Sequence, residues 1–507
     1  MLYVSLLVEA LRARPVLMFW VAALSQGALW VLLPTLIYAA PPGEVPLVLA
    51  TGHEWALGSP AGPPLAPWLA ELAFDVFGHR MFGVYLLSQI CVVVTFWAVF
   101  ALGRATVGAR HAVMAVLLMV GVTAFSLPTL DFGPAVLAMP LIALCVLHLW
   151  RALGETRRHY WYAVGIELGL LLLTNYAGLI FVVLIALFLA ATRRGRVVLR
   201  TLEPWIAALI MITLALPHLI WLGRTGPGVL ANFAGLPRRL IADGQTLAWV
   251  RLVGGLVAVH GGMLVLLVVA GGLRVGPRAP APAFERDPPP PLAKAFVYYF
   301  ALTPGLVATV LAAVFATPMP FGAAGPLVIF SGLAVVMAAG DVIHLYRQRI
   351  VGVAWLALLA APLAVTLSAV ALGPWTFAVD LETGRPAAAM ADFFTDSFQR
   401  RTGRPLRIVA GGLDNAGLVA VYSPDRPSLY LVDAPERTPW VTDKDMRENG
   451  AIIIWPSGDT AGTPPPAITA RFPDLVPEVP RSFERPVQGR LPLLRLGWAL
   501  IRPGAGR

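Results

Sequence analysis

Residues 41–68 read PPGEVPLVLATGHEWALGSPAGPPLAPW and lie between two long apolar runs. A chain that leaves one run of membrane-spanning length and then enters another makes this segment the first loop of a membrane protein. Its content is specific. Glu44 follows soon after the first run, a short apolar segment comes next, and then His53 and Glu54. Leu57-Gly58 reads as a turn, and Pro63-Pro64-Leu65 opens an amphipathic helix. Trp68, Leu69 and Leu72 fall on one face of that helix, with Glu71 and Asp75 on the other. An acidic, aromatic loop of this length along a membrane surface is expected to build something.

Composition supports the membrane reading. Of 507 residues, 58% are hydrophobic and only 13% charged. Apolar runs of about 20 residues recur through the first three quarters, each long enough for a hydrocarbon core of about 30 Å. The first, 15–38, is longer than a signal-peptide core and lacks a small-residue cleavage site, so it is expected to stay as a transmembrane helix. Cys91 and Cys145 both fall inside apolar runs, which leaves no disulfide framework and points to packing. The net charge of +10 is spread over short loops between the runs, which argues against nucleic acid as a partner.

Eleven spans are expected, at 15–38, 81–103, 112–126, 134–150, 160–173, 176–191, 203–222, 247–272, 295–316, 323–345 and 350–373. With a cytoplasmic N-terminus, seventeen Lys and Arg residues fall in inner loops and four in outer loops, a strong positive-inside bias. Fusing the fifth and sixth spans would move the 193–200 arginine cluster outside and weaken it. In this topology Glu44, Asp131, Asn175, His218 and Arg224 all emerge at the outer face. The proline-rich 276–292 reads as an extended cytoplasmic linker. After Pro374 the composition changes. Strands are expected at 406–411, 428–432 and 451–455, with a helix at 415–422. The run 492–501 contains Arg495 and is too short to span, so it reads as a strand or an interfacial segment. The expected architecture is mainly α: a transmembrane domain over 1–374, including the outer loop 39–80, and a small extracytoplasmic α/β domain over 375–507.

The spacing Leu57-Gly58-x4-Pro63-Pro64-Leu65-x2-Trp68-Leu69 resembles the first extracytoplasmic loop of the GT-C glycosyltransferases. Within that group it is similar to bacterial relatives of the protein O-mannosyltransferases, including the aminoarabinose and galacturonic-acid transferases that modify lipid A. The stretch SPDRPS at 423–428 and the later Pro439-Trp440-Val441-Thr442-Asp443 resemble the tail of the same relatives. The resemblance implies an inverting transferase of a bacterial inner membrane, with its C-terminal domain in the periplasm. Such an enzyme moves a hexosyl or pentosyl group from a polyprenyl-phosphate carrier to a lipid, glycan or protein acceptor. In those relatives an Asp-Glu pair opens the loop about fourteen residues before the glycine. Here Glu44 stands at the first position and Val45 at the second, so one carboxylate is lengthened and the other is missing.

The resemblance implies Glu44 as general base and Asp131, in SLPTLDFGP, as the acid that holds the site or the acceptor. Asn175 stands in an L-T-N-Y turn where relatives often carry a basic residue. His218 and Arg224, in LPHLIWLGR, resemble the relatives' P-H-x-x-W pattern. Arg224, Arg238 and Arg239 supply outer-face cations for a donor phosphate, with headgroup snorkelling as the plainer role. His53 and Glu54 are candidate substrate contacts. With Glu44 they could coordinate a divalent cation, although the spacing fits no established ligand pattern. No other cofactor is implied: neither a Walker loop nor a dinucleotide fingerprint stands in a suitable context. Two rivals remain. A transporter or lipid flippase needs polar residues inside its spans, facing a midplane cavity, and this sequence has few of those: Glu167, His260 and Asp341 are scattered. A non-catalytic relative would bind the lipid-linked sugar without turning it over.

Overall fold

A computed structural model of the chain describes residues 2–225, 247–271, 282–315, 319–345 and 347–504. The chain divides into two compact units. One comprises Met1–Val31, Leu86–Leu130 and Pro134–Leu363; the other comprises Leu32–Tyr85, Asp131–Gly133 and Ala364–Arg507. The first outer loop thus clusters with the C-terminal residues rather than with the helices that flank it in sequence.

Among the described residues six helices are long and apolar enough to cross a membrane: Pro15–Ile37, Met81–Thr106, Pro134–Leu153, Glu203–Arg224, Pro291–Phe315 and Gln348–Thr376. Two further stretches expected as single spans are broken. Ala109–Val120 and Thr123–Leu130 meet at 85°, and Ala248–Val259 and Gly261–Gly271 meet at 50°. The two breaks lie against each other. The Met263 N–H donates to the Gly121 carbonyl at 3.0 Å, which satisfies backbone groups that a broken helix leaves open in an apolar setting. Gly121 and Gly262 permit this approach, because a Cβ on either would run into the other's segment. The fifth and sixth expected spans are the shorter helices Tyr160–Leu172 and Gly178–Ala191.

The expected span 323–345 and linker 276–292 need correction. The span's helices, Gly325–Val328 and Ser331–Ala338, stop short, and Gly340 at φ +95° turns the chain. Strand β1 (Ala283–Glu285) then pairs antiparallel with β2 (Val342–His344). Arg286 fastens the pair, with Nε 3.0 Å from Asp341 Oδ1 and Nη2 donating to the Met337 carbonyl at 3.2 Å. An arginine in the linker therefore caps the helix end and draws the flanking residues into a ribbon. Residues 276–281 of the linker lie outside the described residues.

The second unit is built on a five-stranded sheet in the order β4-β3-β5-β7-β6. Its strands are β3 (Ile408–Gly411), β4 (Ser428–Leu431), β5 (Ala451–Pro456), β6 (Arg481–Phe483) and β7 (Leu494–Ile501). β3 pairs in parallel with β4 and β5, while β7 runs antiparallel to β5 and β6. The β-branched run Ile452-Ile453-Ile454 is buried on both faces, as a central strand requires. The stretch 492–501, read as either strand or interfacial segment, supplies β7.

One face of this sheet decides where the outer loop sits. Met390, Phe394 and Phe398 of the helix Ala387–Thr402 pack over Val409, Ile452 and Ile454, and Leu47 and Ala50 of the loop join the same core. These two belong to the loop helix Val45–His53, whose apolar residues are almost entirely buried. It packs on the second loop helix, Leu65–Val76, where Gly52 lies so close to the Pro67 carbonyl that a side chain there would collide with it. The loop is thus a structural layer of the unit, and Glu44 rides at the N-terminal edge of a buried helix.

Candidate functional site

The chain leaving the first long helix is pinned at once. The N–H groups of Ala39 and Ala40 donate to the Thr383 carbonyl at 2.9 and 3.2 Å. Gly43 then adopts φ +58°, a left-handed turn that favours glycine, and its N–H donates to Glu382 Oε2 at 3.3 Å. Next, the Glu44 N–H donates to Asp131 Oδ1 at 3.0 Å, and the Val45 N–H also points to the Asp131 carboxylate. Asp131 therefore caps the start of a helix that lies far from it in sequence, where amide dipoles favour a negative charge. The Asp131 carboxylate also sits over Gly43, filling the space a Cβ would take.

Three carboxylates, from Glu44, Asp131 and Glu382, thus gather around two residues of backbone. Asp131 is exposed, yet its pKa is pushed up to about 6. Desolvation by the surrounding protein is the largest cause, and the charges of Glu44 and Glu382 add to it against the opposing amide hydrogen bonds. Glu44 itself is 61% exposed, and its Oε1 lies 2.8 Å from Arg437 Nη2. Arg437 stands on the short turn Pro435–Arg437 that follows β4. No spacing signal singled it out; only the pairing of β3 with β4 brings it to the loop.

The other candidates of the second unit do not join this group. His53 Nδ1 lies 3.0 Å from Glu71 Oε1, and Glu54 Oε1 accepts from Ser428 Oγ at 2.7 Å. Glu71, expected on the solvated face of its helix, is instead 1% exposed. Both its oxygens accept from Arg426 Nη2 at 2.6 Å, and the guanidinium lies 4.9 Å from the Phe74 ring centre. Burial pushes the Glu71 carboxyl up, but His53 and Arg426 outweigh it and hold the group below its ordinary value. His53, Glu71 and Arg426 thus form a joint between the loop and the tail. Among the described residues no three His, Cys, Asp or Glu side chains form a metal-holding group.

In the first unit, Asn175 Oδ1 accepts from the Ala177 N–H at 2.9 Å and closes the turn between two helices. His218 is buried, with Nε2 2.9 Å from the Tyr176 hydroxyl and its ring stacked on Trp221 at 5.6 Å. Arg224 is exposed near the end of the helix Glu203–Thr225. Arg238 and Arg239 lie outside the described residues. Glu167, His260 and Asp341, expected inside spans, each have a partner. Glu167 Oε1 is 2.5 Å from His148 Nδ1, His260 Nδ1 is 2.6 Å from the Leu256 carbonyl, and Asp341 holds Arg286. This unit also contains an apolar cleft of about 250 Å³, lined by residues that include Pro128, Val136, Met139, Val259, Met319 and Pro326.

The chain has the GT-C fold. Over the whole chain the fold is similar to that of ArnT from Cupriavidus metallidurans bound to undecaprenyl phosphate. The TM-score is 0.62 at 13% identity, covering 97% of this chain and 99% of that one. The apo state of the same ArnT gives a TM-score of 0.52 at 14% identity, again over 97% and 99% of the two chains. Residues 61–221 match the dolichyl-phosphate-mannose-protein mannosyltransferase family. No curated protein sequence matches the chain.

Proposed function

We propose that this protein is an inverting membrane glycosyltransferase. It takes a sugar from a polyprenyl-phosphate carrier and attaches it to a lipid, glycan or protein acceptor on the outer side of a bacterial inner membrane. The observation that carries the reading is the convergence of Glu44 and Asp131, 87 positions apart, in a fold shared with ArnT bound to undecaprenyl phosphate. The family matched by residues 61–221 is described as dolichyl-phosphate-mannose-protein mannosyltransferase, which supports the same class of donor.

In the proposed reaction the acceptor hydroxyl attacks the anomeric carbon on the face opposite the phosphate. Glu44 takes the hydroxyl proton as the new C–O bond forms. The bond to the phosphate oxygen breaks with its electron pair, and polyprenyl phosphate leaves without needing a strong acid. Asp131 acts by fixing the backbone that carries Glu44 and by orienting the acceptor. Glu382 brings a further carboxylate to the loop, although Val45 stands where relatives carry their second acid. The apolar cleft is suited to part of a prenyl chain. Arg224, Arg238 and Arg239 remain candidate phosphate contacts. His53, Glu54 and Asn175 read better as structural groups, given the partners that each already holds.

The test is transfer from a panel of labelled polyprenyl-phosphate sugars in washed membranes containing the full-length chain. Label appearing in a lipid, glycan or protein acceptor supports the proposal. Its absence across a broad panel of donors and acceptors contradicts it.

A further inference from the structure

Two Arg–Glu pairs join the outer loop to the tail, and they differ in kind. Arg426 and Glu71 are 9% and 1% exposed, and both Glu71 oxygens are engaged by the one nitrogen Nη2. That is a buried joint. Arg437 and Glu44 are 34% and 61% exposed and meet through a single nitrogen–oxygen contact at 2.8 Å. Among the described residues this is the only hydrogen bond or ion pair of the Arg437 guanidinium, a group with five N–H donors.

The surroundings supply a reason for such a cation. The donor phosphate is bonded to the anomeric carbon and must enter close to the base that activates the acceptor. Glu44, Asp131 and Glu382 would all repel it there. We infer that Arg437 is the cation that receives the carrier's phosphate, and that Glu44 holds it in place until the donor arrives. This rests on the donor class proposed above. The phosphate draws the guanidinium off Glu44 into a two-pronged contact, the geometry in which arginine binds phosphate best. The same movement frees the Glu44 carboxylate to accept the hydroxyl proton. When the bond to the anomeric carbon breaks, its electron pair stays with the phosphate, and Arg437 offsets the added charge. Arg437 is therefore a binding residue whose exchange of partners switches on the base.

The experiment is a titration of the purified full-length chain in detergent with a polyprenyl monophosphate, using the uncharged polyprenol as control. Arg437→Ala is expected to weaken phosphate binding by about ten- to a hundredfold, since hydrogen bonds to a charged group are lost. Polyprenol binding and the thermal midpoint should stay near wild type. Arg437→Lys should fall between the two, because it keeps the charge and loses the fork. Glu44→Gln removes the competitor, so it should tighten phosphate binding by about two- to fivefold, the worth of an exposed ion pair. That gain should shrink in the Arg437→Ala background. Wild-type phosphate affinity in Arg437→Ala overturns the inference and leaves the proposed function standing. An equal loss for polyprenol would make Arg437 structural and also overturn it. If the wild-type chain does not bind polyprenyl monophosphate, the donor reading falls and the inference falls with it.

Discussion

The backbone N–H of Glu44 donates to Oδ1 of Asp131 at 3.0 Å, so the residue proposed as the base is positioned by a carboxylate from a different loop. The contact is to the main chain of Glu44. Its side chain stays 61% exposed, available to Arg437 and to a substrate. A carboxylate held this way is fixed at its root and exposed at its tip, which suits a group that must both release a guanidinium and receive a proton.

Gly43 should be intolerant of substitution. Its φ of +58° disfavours a side chain, and an added Cβ would collide with the Asp131 carboxylate. Gly43→Ala should lower turnover by about tenfold or more even though Glu44 and Asp131 are both retained, because small displacements of a reacting group are costly. Wild-type kcat in this variant would mean that the Glu44–Asp131 contact does not set the geometry.

Asp131 sets a pH dependence. Its pKa of about 6 lies above the ordinary carboxylate value of about 3.9. The folded state therefore holds its proton to a higher pH than the unfolded state. The stability this confers is present below about 4 and is lost as pH rises through about 6. Activity that needs the ionised form should show an acidic limb near pH 6. Asp131→Asn keeps an oxygen for the Glu44 N–H and should abolish that limb in the kcat–pH profile. An unchanged limb would assign it to another group.

The joint around Glu71 should carry stability rather than chemistry. Arg426→Ala leaves a buried carboxylate without its main partner and should cost roughly 3–5 kcal/mol, seen as a lowered thermal midpoint. Because the Glu71 pKa is depressed, its contribution is present above the ordinary carboxylate value and is lost as pH falls below that value through the lowered one. A loss below about 1 kcal/mol would place this pair with exposed ion pairs and contradict its role as a joint.

Much of this arrangement can be read from the chain, for reasons that are local. Pro63-Pro64 starts the second loop helix at Leu65, and the β-branched run at 452–454 lies in the central strand β5. What depends on distant partners is hidden. Amphipathic spacing puts Glu71 on the polar face of its helix, and only the fold lays Arg426 and His53 against that face. The breaks at Gly121 and His260 have no proline at the bend and lie in runs that are apolar on average, so hydropathy reads straight through them. Glu44 is legible through the resemblance of its loop, where the relatives' first acid stands about fourteen residues before the glycine. Its neighbours Asp131, Glu382 and Arg437 come from three other parts of the chain, and no spacing rule links them.

The central claim is that Glu44 is the base. The most direct measurement is single-turnover transfer from a labelled polyprenyl-phosphate sugar by Glu44→Gln, with donor binding measured in the same preparation. The amide keeps the shape of the side chain and cannot take the proton. The account predicts a rate lower by about 10²–10⁴-fold, with donor binding at least as tight as in the wild-type protein. Transfer by Glu44→Gln at the wild-type rate would contradict it.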